Sequence, residues 1–398
     1  MLPFTKPQNA RQADPVLTYN RIIKITVLVI SLAGQISICL SQDGTQKDKP
    51  YLMGSASGSS FQGLGYLSGH GTGSMARSVS TDGSIVVGNY TNDSTSHAFL
   101  WTQKTGMMSL GNLPDTSFRQ SWASKISGDG TVVVGYGDPG SGRDSYKGFK
   151  WTRDVGMVII GSLNASSRSL PFDVSENGSV IVGDGGEQTF RWTQGGRIIG
   201  LGVLPGTTRS RAVAVSADGS VVVGSSYTAD WNLEQAFIWT QNSGMVGLGY
   251  LPGKSISFAL DVSPDGSVVI GTAASSSGYP GFRWTQSTGM VNIGHLPGKK
   301  TTHPGGVSSH GSIIVGASFS DPTHSDAFIW DADHGMRTLQ SVLQSDYGLD
   351  LTGWALQNAA DISPDGRIIV GWGINPSGHQ EAFRVVLDTS SVRVRGDK

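Results

Sequence analysis

The chain sets short β-branched runs between glycine-rich breaks, and a single stretch states the whole pattern. From Arg211 it reads RAVAVSADGSVVVGSS, and after a connection it continues QAFIWTQNSGMVGLGYLPG, ending at Gly253. Ala212 to Ser216 alternates as a half-buried strand and stops at Ala217-Asp218-Gly219, where Asp-Gly tolerates the positive φ of a hairpin turn. Ser220 to Gly224 is β-branched on both faces, the mark of an inner strand covered on each side. In Ala236 to Thr240 the period of two puts Phe237 and Trp239 on one face, which is therefore the core face. The opposite face carries Leu100, Lys150, Arg191, Ile238, Arg283, Ile329 and Arg384 in successive copies, so it is expected to reach water. Gly244 to Leu251 forms a fourth strand, stopped by Pro252-Gly253.

The turn pair recurs at Asp82-Gly83, Asp129-Gly130, Asn177-Gly178, Asp218-Gly219, Asp265-Gly266, His310-Gly311 and Asp365-Gly366. Its spacings of 47, 48, 41, 47, 45 and 55 residues match a four-stranded propeller blade. The Phe-x-Trp strand agrees, with Trp101, Trp151, Trp192, Trp239, Trp284 and Trp330, and Phe383 before Val385 in the last copy. The chain enters the repeat on a lone fourth strand, Gly63 to Gly69, and leaves it on a lone third strand, Glu381 to Leu387. Joining the two predicts an all-β, seven-bladed β-propeller over 61–387 whose last blade is closed by an N-terminal strand, with no sheet edge left between the ends. Leu339, Val342 and Leu343 stand at helical spacing, predicting a short helix over Thr338 to Tyr347 that caps one face.

Glycine supplies 56 of 398 residues, about twice ordinary usage, which excludes a mainly helical chain. The 29 basic and 30 acidic residues nearly cancel, and no Lys/Arg stripe with interleaved aromatics appears, so nucleic acid is not an expected partner. The one cysteine, Cys39, lies in an apolar N-terminal segment. Ile25 to Gly34 follows Arg21 and Lys24 as the h-region of a signal peptide would, giving 1–41 as a signal peptide with cleavage after Ser41. The alternative is an anchor through 22–40, which makes membrane contact only if it is not cleaved. An exported location follows: extracellular, cell surface or periplasmic. Gln42 to Ser60 reads as a flexible linker and 388–398 as a tail.

The strands HAFLWT, QAFIWT and DAFIWD, beginning at His97, Gln235 and Asp326, occur with GMVGLGYLPG and VSADGSVVVG. Together they resemble the HAF repeat of bacterial extracellular proteins. The ending LDLTGWALQNAADISPDGRIIVG resembles the C-terminal unit of such chains. The resemblance implies a secreted or surface-exposed bacterial protein and assigns no catalytic residues.

Candidate chemistry is sparse. The Phe-x-Trp pairs and turn aspartates read as packing and turn formation, since Asn177 and His310 replace Asp without disturbing the register. His295, His303, His310, His324 and His334 fall in one blade beside Asp331 and Asp333, without the short spacing of a metal site. Gly135 to Gly140 satisfies a dinucleotide glycine pattern, but Pro139-Gly140 turns where a helix should begin. No Gly-x-Ser-x-Gly elbow is present. Arg395-Gly396-Asp397 is an adhesion-type tripeptide in the tail. No cofactor or metal is expected. The first reading is a non-enzymatic binding module for a protein or glycan. Its long connections are Gly135 to Gly148, Ser225 to Gln235 and Ala317 to Asp326, and Tyr146 and Trp231 are its contact residues. The second is a polysaccharide hydrolase or lyase using Asp138, Asp144, Glu187 and Asp230.

Overall fold

The computed structural model describes the backbone of 52–54 and residues 58–67, 72–92, 95–114, 119–138, 145–164, 168–274, 278–321 and 324–388. The chain divides into two compact units, 1–47 with 321–323 and 48–320 with 324–398, and the architecture below is that of the second. The signal-peptide or anchor segment, Cys39, Asp144 and the Arg395-Gly396-Asp397 tail lie outside the described residues.

Two N-terminal strands, β1 (Leu52–Gly54) and β2 (Ser60–Gly63), precede six four-stranded meanders. These are β3 (Gly73–Val79), β4 (Ile85–Asn92), β5 (Thr95–Thr102) and β6 (Gly106–Ser109), then β7 (Gln120–Ile126), β8 (Val133–Asp138), β9 (Lys147–Thr152) and β10 (Gly156–Ile159). The third meander has β11 (Leu170–Val174), β12 (Val180–Asp184), β13 (Thr189–Thr193) and β14 (Ile198–Gly200). The fourth has β15 (Arg209–Val215), β16 (Val221–Tyr227), β17 (Glu234–Thr240) and β18 (Gly244–Gly247). The fifth has β19 (Ile256–Val262), β20 (Val268–Ala274), β21 (Gly281–Thr285) and β22 (Gly289–Gly294). The sixth has β23 (Thr301–Val307), β24 (Ile313–Phe319), β25 (Ser325–Asp331) and β26 (Gly335–Thr338), followed by helix α1 (Leu339–Ser345). Three strands, β27 (Ala355–Ile362), β28 (Ile368–Ile374) and β29 (Gln380–Val386), end the series.

The architecture is an all-β propeller of four-stranded blades. Hydrogen bonding groups the strands into six sheets where the sequence markers count seven units, because one parallel pair, Glu234 with Ile256, joins the fourth and fifth meanders into one eight-stranded sheet. The last sheet has five strands in the order β1-β2-β29-β28-β27. Its added strand is not the expected Gly63 to Gly69 but β2, which pairs antiparallel with β29 from Ser60 opposite Val386 to Gly63 opposite Phe383. Phe61 explains the register, since its buried ring packs edge-on to Trp354 at 4.9 Å and beside Phe383 at 5.6 Å. The segment expected as a linker over 42–60 thus supplies β1, which pairs with β2.

Seven apolar clusters fill the gaps between successive meanders. Val87 and Leu100 meet Ile126 and Phe149, and Val134 meets Ile181 and Phe190. Val182 meets Ala212 and Val222, Val223 meets Val269 and Phe282, and Ile270 meets Ile314 and Phe328. Val315 meets Ile369 and Phe383 with α1 between them, and Val370 and Ala382 meet Ala76 and Phe99 of the first meander. The phenylalanine of every Phe-x-Trp strand is fully buried, as the period of two requires. The other face of that strand is partly exposed: Lys150, Arg191, Ile238, Arg283 and Arg384 are half-buried, while Leu100 and Ile329 are buried. Leu100 is 1% exposed, and the arginines there serve the neighbouring meander: Arg191 Nη2 donates to Gly219 O at 3.1 Å and Arg384 Nε to Gly83 O at 2.9 Å. The helix begins one residue later than expected, with Thr338 as its N-cap, and wedges Leu339, Val342 and Leu343 between the last two sheets instead of covering a face.

The turns show why the Asp-Gly marker repeats. A serine two residues before each Asp donates to it, Ser216 Oγ to Asp218 Oδ1 at 2.6 Å, and accepts the Val221 N–H at 3.0 Å. Gly219 has φ 75°, and a Cβ there would lie 2.6 Å from Val180 of the preceding meander. Gly83 stands in the same relation to Ile368 of the last one. The turn glycine is therefore required twice, by its conformation and by the close approach of the adjacent sheet.

Candidate functional site

Each meander has two ends. The hairpins with the Asp-Gly turns lie at one, and at the other β8 is followed by β9, β16 by β17 and β24 by β25. The notable side chains divide between these ends.

At the turn end, the innermost strands carry a feature that the sequence reading missed. All seven bulge at one position, between Ala76 and Ser78, Ala123 and Lys125, Pro171 and Asp173, Ala212 and Ala214, Ala259 and Asp261, Pro304 and Gly306, and Ala359 and Asp361. A bulge adds a residue to one strand and re-aims the side chain that follows. Here it turns that side chain toward the next meander, where it can accept a backbone N–H. Ser78 Oγ takes Ile126 N–H at 3.3 Å, Asp173 Oδ2 takes Val215 N–H at 2.8 Å and Asp261 Oδ2 takes Val307 N–H at 3.1 Å. Asp361 Oδ2 takes Val79 N–H at 3.0 Å, linking the last meander to the first. Lys125, at the equivalent position, donates instead, its Nζ lying 3.0 Å from Asp361 Oδ1.

Lys125, Asp173, Asp261 and Asp361 line a cavity of about 80 Å³ together with Thr81, Glu176, Pro264 and Pro364, room for a few waters and not for a sugar ring. Burial drives Asp173 up to about 6 and Asp261 up to about 7, in each case against the attraction of Lys125. Burial alone would weaken the Lys125 charge, but Asp361, Asp261 and Asp173 outweigh it and hold the ammonium well above its ordinary range. The signal in the sequence was a charged residue four positions before the turn Asp or Asn, inside an otherwise apolar strand.

At the connection end, Tyr146 and Trp231 fold onto their own blades. Tyr146 lies nearly parallel to Tyr136 at 5.8 Å and to Trp122 at 6.3 Å, and those two are 5.4 Å apart. Trp231, at φ 62°, stacks on Tyr227 at 4.2 Å, and both rings face the buried Arg211 guanidinium, which pairs with Glu234 at 3.0 Å. All three rings of the first group come from the second meander, and both of the second group from the fourth.

The other candidates disperse. Asp138 is buried at the end of β8, so Gly135 to Asp138 is strand and not a phosphate-cradling turn. Asp230 accepts from Asn232 of its own connection at 2.6 Å, while Glu187 lines a separate small pocket with Leu163, Asn164 and Gln188. His310 pairs with Asp265 at 2.5 Å and His334 with Asp331 at 2.8 Å. Burial, opposed by a hydrogen bond from the ring to its own backbone and aided by the charge of Arg77, pushes His303 down to about 4. No three His, Cys, Asp or Glu among the described residues stand together as metal ligands, and no helix among them is long and apolar enough to cross a membrane.

The chain matches no family model and no curated protein. Solved propellers match its fold. An oligogalacturonate lyase from Vibrio parahaemolyticus superposes at a TM-score of 0.55 with 10% identity, covering 86% of this chain and 97% of that one. An oligogalacturonate lyase in complex with manganese gives 0.54 with 11% identity, over 86% and 96% of the two chains. The propeller domain of the trilobed protease from Pyrococcus furiosus, described as having an open velcro topology, gives 0.50 with 12% identity over 78% and 95%. At these identities the likeness defines a β-propeller and no activity.

Proposed function

We propose that the repeat units form a seven-bladed ring, closed where β2 joins β29, and that this ring is an exported, non-enzymatic module binding a protein or glycan at its connection end. The arrangement of aromatic side chains carries the reading. Trp122 and Tyr146 on one blade, and Trp231 on another, are half-buried at the end where the long connections join their strands, held from behind by the buried Tyr136 and Tyr227. Flat aromatic groups held rigid by neighbours contribute contact area at low entropic cost, which is what a recognition surface needs. The convergent carboxylates lie at the opposite end and are occupied by backbone N–H groups. That distribution favours binding over hydrolysis or elimination.

The test is to incubate the purified protein with a glycan panel and measure retention and reducing-end release together. Retention without release, lost in Tyr146→Ala or Trp231→Ala while the unfolding temperature changes by only a few degrees, is the expected result. Release abolished by Asp230→Asn or Glu187→Gln would replace this reading with the polysaccharide hydrolase or lyase. Export is tested by the N-terminal residue of protein recovered outside the cytoplasm: Gln42 is expected, and an intact Met1 refutes cleavage.

A further inference from the structure

The turn end of the axis holds three buried carboxylates and one ammonium, an imbalance that the fold must accommodate. Asp173, Asp261 and Asp361 each accept a backbone N–H from the next meander, so they sit at three inter-blade joints, including the one between the last meander and the first. Asp173 and Asp361 also cap their own strands, accepting Val174 N–H at 2.8 Å and Ile362 N–H at 3.0 Å. One counter-charge serves all three, and it is committed to Asp361. Glu176, which accepts from Thr81 Oγ1 at 3.0 Å on the cavity wall, adds no positive charge, and Arg77 is turned away over Trp372.

We propose that Asp173, Asp261, Asp361 and Lys125 form a proton-operated lock on the ring, in which mild acid tightens the axis and rising pH loosens it. The carboxylates are buried, but Lys125 keeps 24% of its side chain exposed, so water and protons reach the cluster through the cavity. When protons bind to Asp173 and Asp261, the salt bridge of Lys125 with Asp361 is left as a neutral pair and the repulsion across the axis disappears. A protonated carboxyl still offers its carbonyl oxygen to the N–H of the next blade, so the joint survives the change. When both protons leave, two uncompensated charges remain in a space of low dielectric.

The sign follows from linkage. Both groups bind protons more tightly in the folded chain, at about 6 and about 7, than an ordinary aspartate does at 3.8. The folded state therefore holds extra protons above the unfolded value, and stability is lost as pH rises through 6 to 7. Between pH 5 and 8 the two groups together weaken folding on the order of a thousandfold in the unfolding constant, an upper bound given the partial hydration at Lys125. His303 works the other way, because its folded value of about 4 lies below its unfolded 6.5, so the comparison must be made between variants.

The experiment compares thermal unfolding of the full chain and of Asp173→Asn/Asp261→Asn from pH 5 to 8.5. Asparagine keeps the acceptor oxygen and removes the charge. The expected result is a wild-type midpoint that falls relative to the variant as pH rises, with the variant the more stable of the two at pH 8. Parallel profiles, or a wild-type midpoint that rises relative to the variant, would overturn the proposal. A second measurement does not depend on the variant folding: proton exchange on urea unfolding of the wild type at pH 5.5. Release of nearly two protons from the aspartates outweighs uptake of nearly one by His303 and a smaller uptake by His295, which burial also depresses, so a net release of less than about one proton is predicted, and net uptake would refute the lock.

Discussion

Removing the ring of Phe61 tests whether the N-terminal strand holds the whole propeller or only itself. Phe61 is 1% exposed and touches both Trp354 and Phe383, so Phe61→Ala empties a site that neighbouring rings on two sides cannot readily refill. Truncation of a buried phenylalanine costs about 3–5 kcal/mol, and the two lost ring contacts place this site toward the upper half of that range. A cooperative unit of roughly 330 residues unfolds with an entropy near 0.7 kcal/mol/K, so about 4 kcal/mol lowers the midpoint by roughly 6 °C. Differential scanning calorimetry reads this directly, with Phe190→Ala in an interior meander as the control of like chemistry. Equal shifts in the two variants mean that closure and interior share one transition. If Phe61→Ala leaves the main transition unmoved while Phe190→Ala lowers it, β2 frays by itself and the argument for closure fails.

Other substitutions probe the joints. Gly219→Ala forces a Cβ against Val180 in a conformation with φ 75°, and should destabilise by about 1–3 kcal/mol in denaturant titration, whereas Gly244→Ala, with positive φ but open space around it, should cost less. Arg384→Met keeps the apolar stem but loses the donor to Gly83 O, with an expected cost of about 1.5–3 kcal/mol in the same assay. Glu234→Ala strands the buried Arg211 charge and should cost about 3–5 kcal/mol, with quenching of Trp231 fluorescence altered as its stack relaxes. His303→Gln should remove a contribution that opposes the acid stabilisation by Asp173 and Asp261, so the variant should gain stability more steeply than the wild type as pH falls from about 6.5 to about 4, because the unfolded histidine binds the proton first.

Reading the axial site from sequence alone was harder than reading the repeat, and the residues show why. A charged residue in the innermost strand occurs in only four of the seven copies, as Lys125, Asp173, Asp261 and Asp361, while Ser78, Ala214 and Gly306 hold the same position elsewhere. In one dimension this looks like tolerance of a surface position. The middle position of the Phe-x-Trp strand shows both outcomes: Leu100 is buried, whereas Arg191 is half-buried and its guanidinium also reaches a carbonyl of the next blade. Tyr146 and Trp231 stand out in the sequence as aromatics within long connections, yet their stacking partners, Tyr136 with Trp122 and Tyr227, could not be chosen from spacing.

The sequence by itself determined the repeat unit, its four strands, the turn chemistry and the buried aromatic face, because each depends on neighbours within a few residues. Backbone period and the positive φ of a turn glycine are local properties. The tertiary structure decided what meets across the gaps: which strand β29 takes as its partner, where the arginines bind, and how four ionisable groups separated by up to 236 residues come to share one cavity. Those outcomes depend on how successive sheets rotate about the axis and on the bulge that aims each side chain. Burial then alters the proton affinity of groups whose surroundings a linear reading cannot supply.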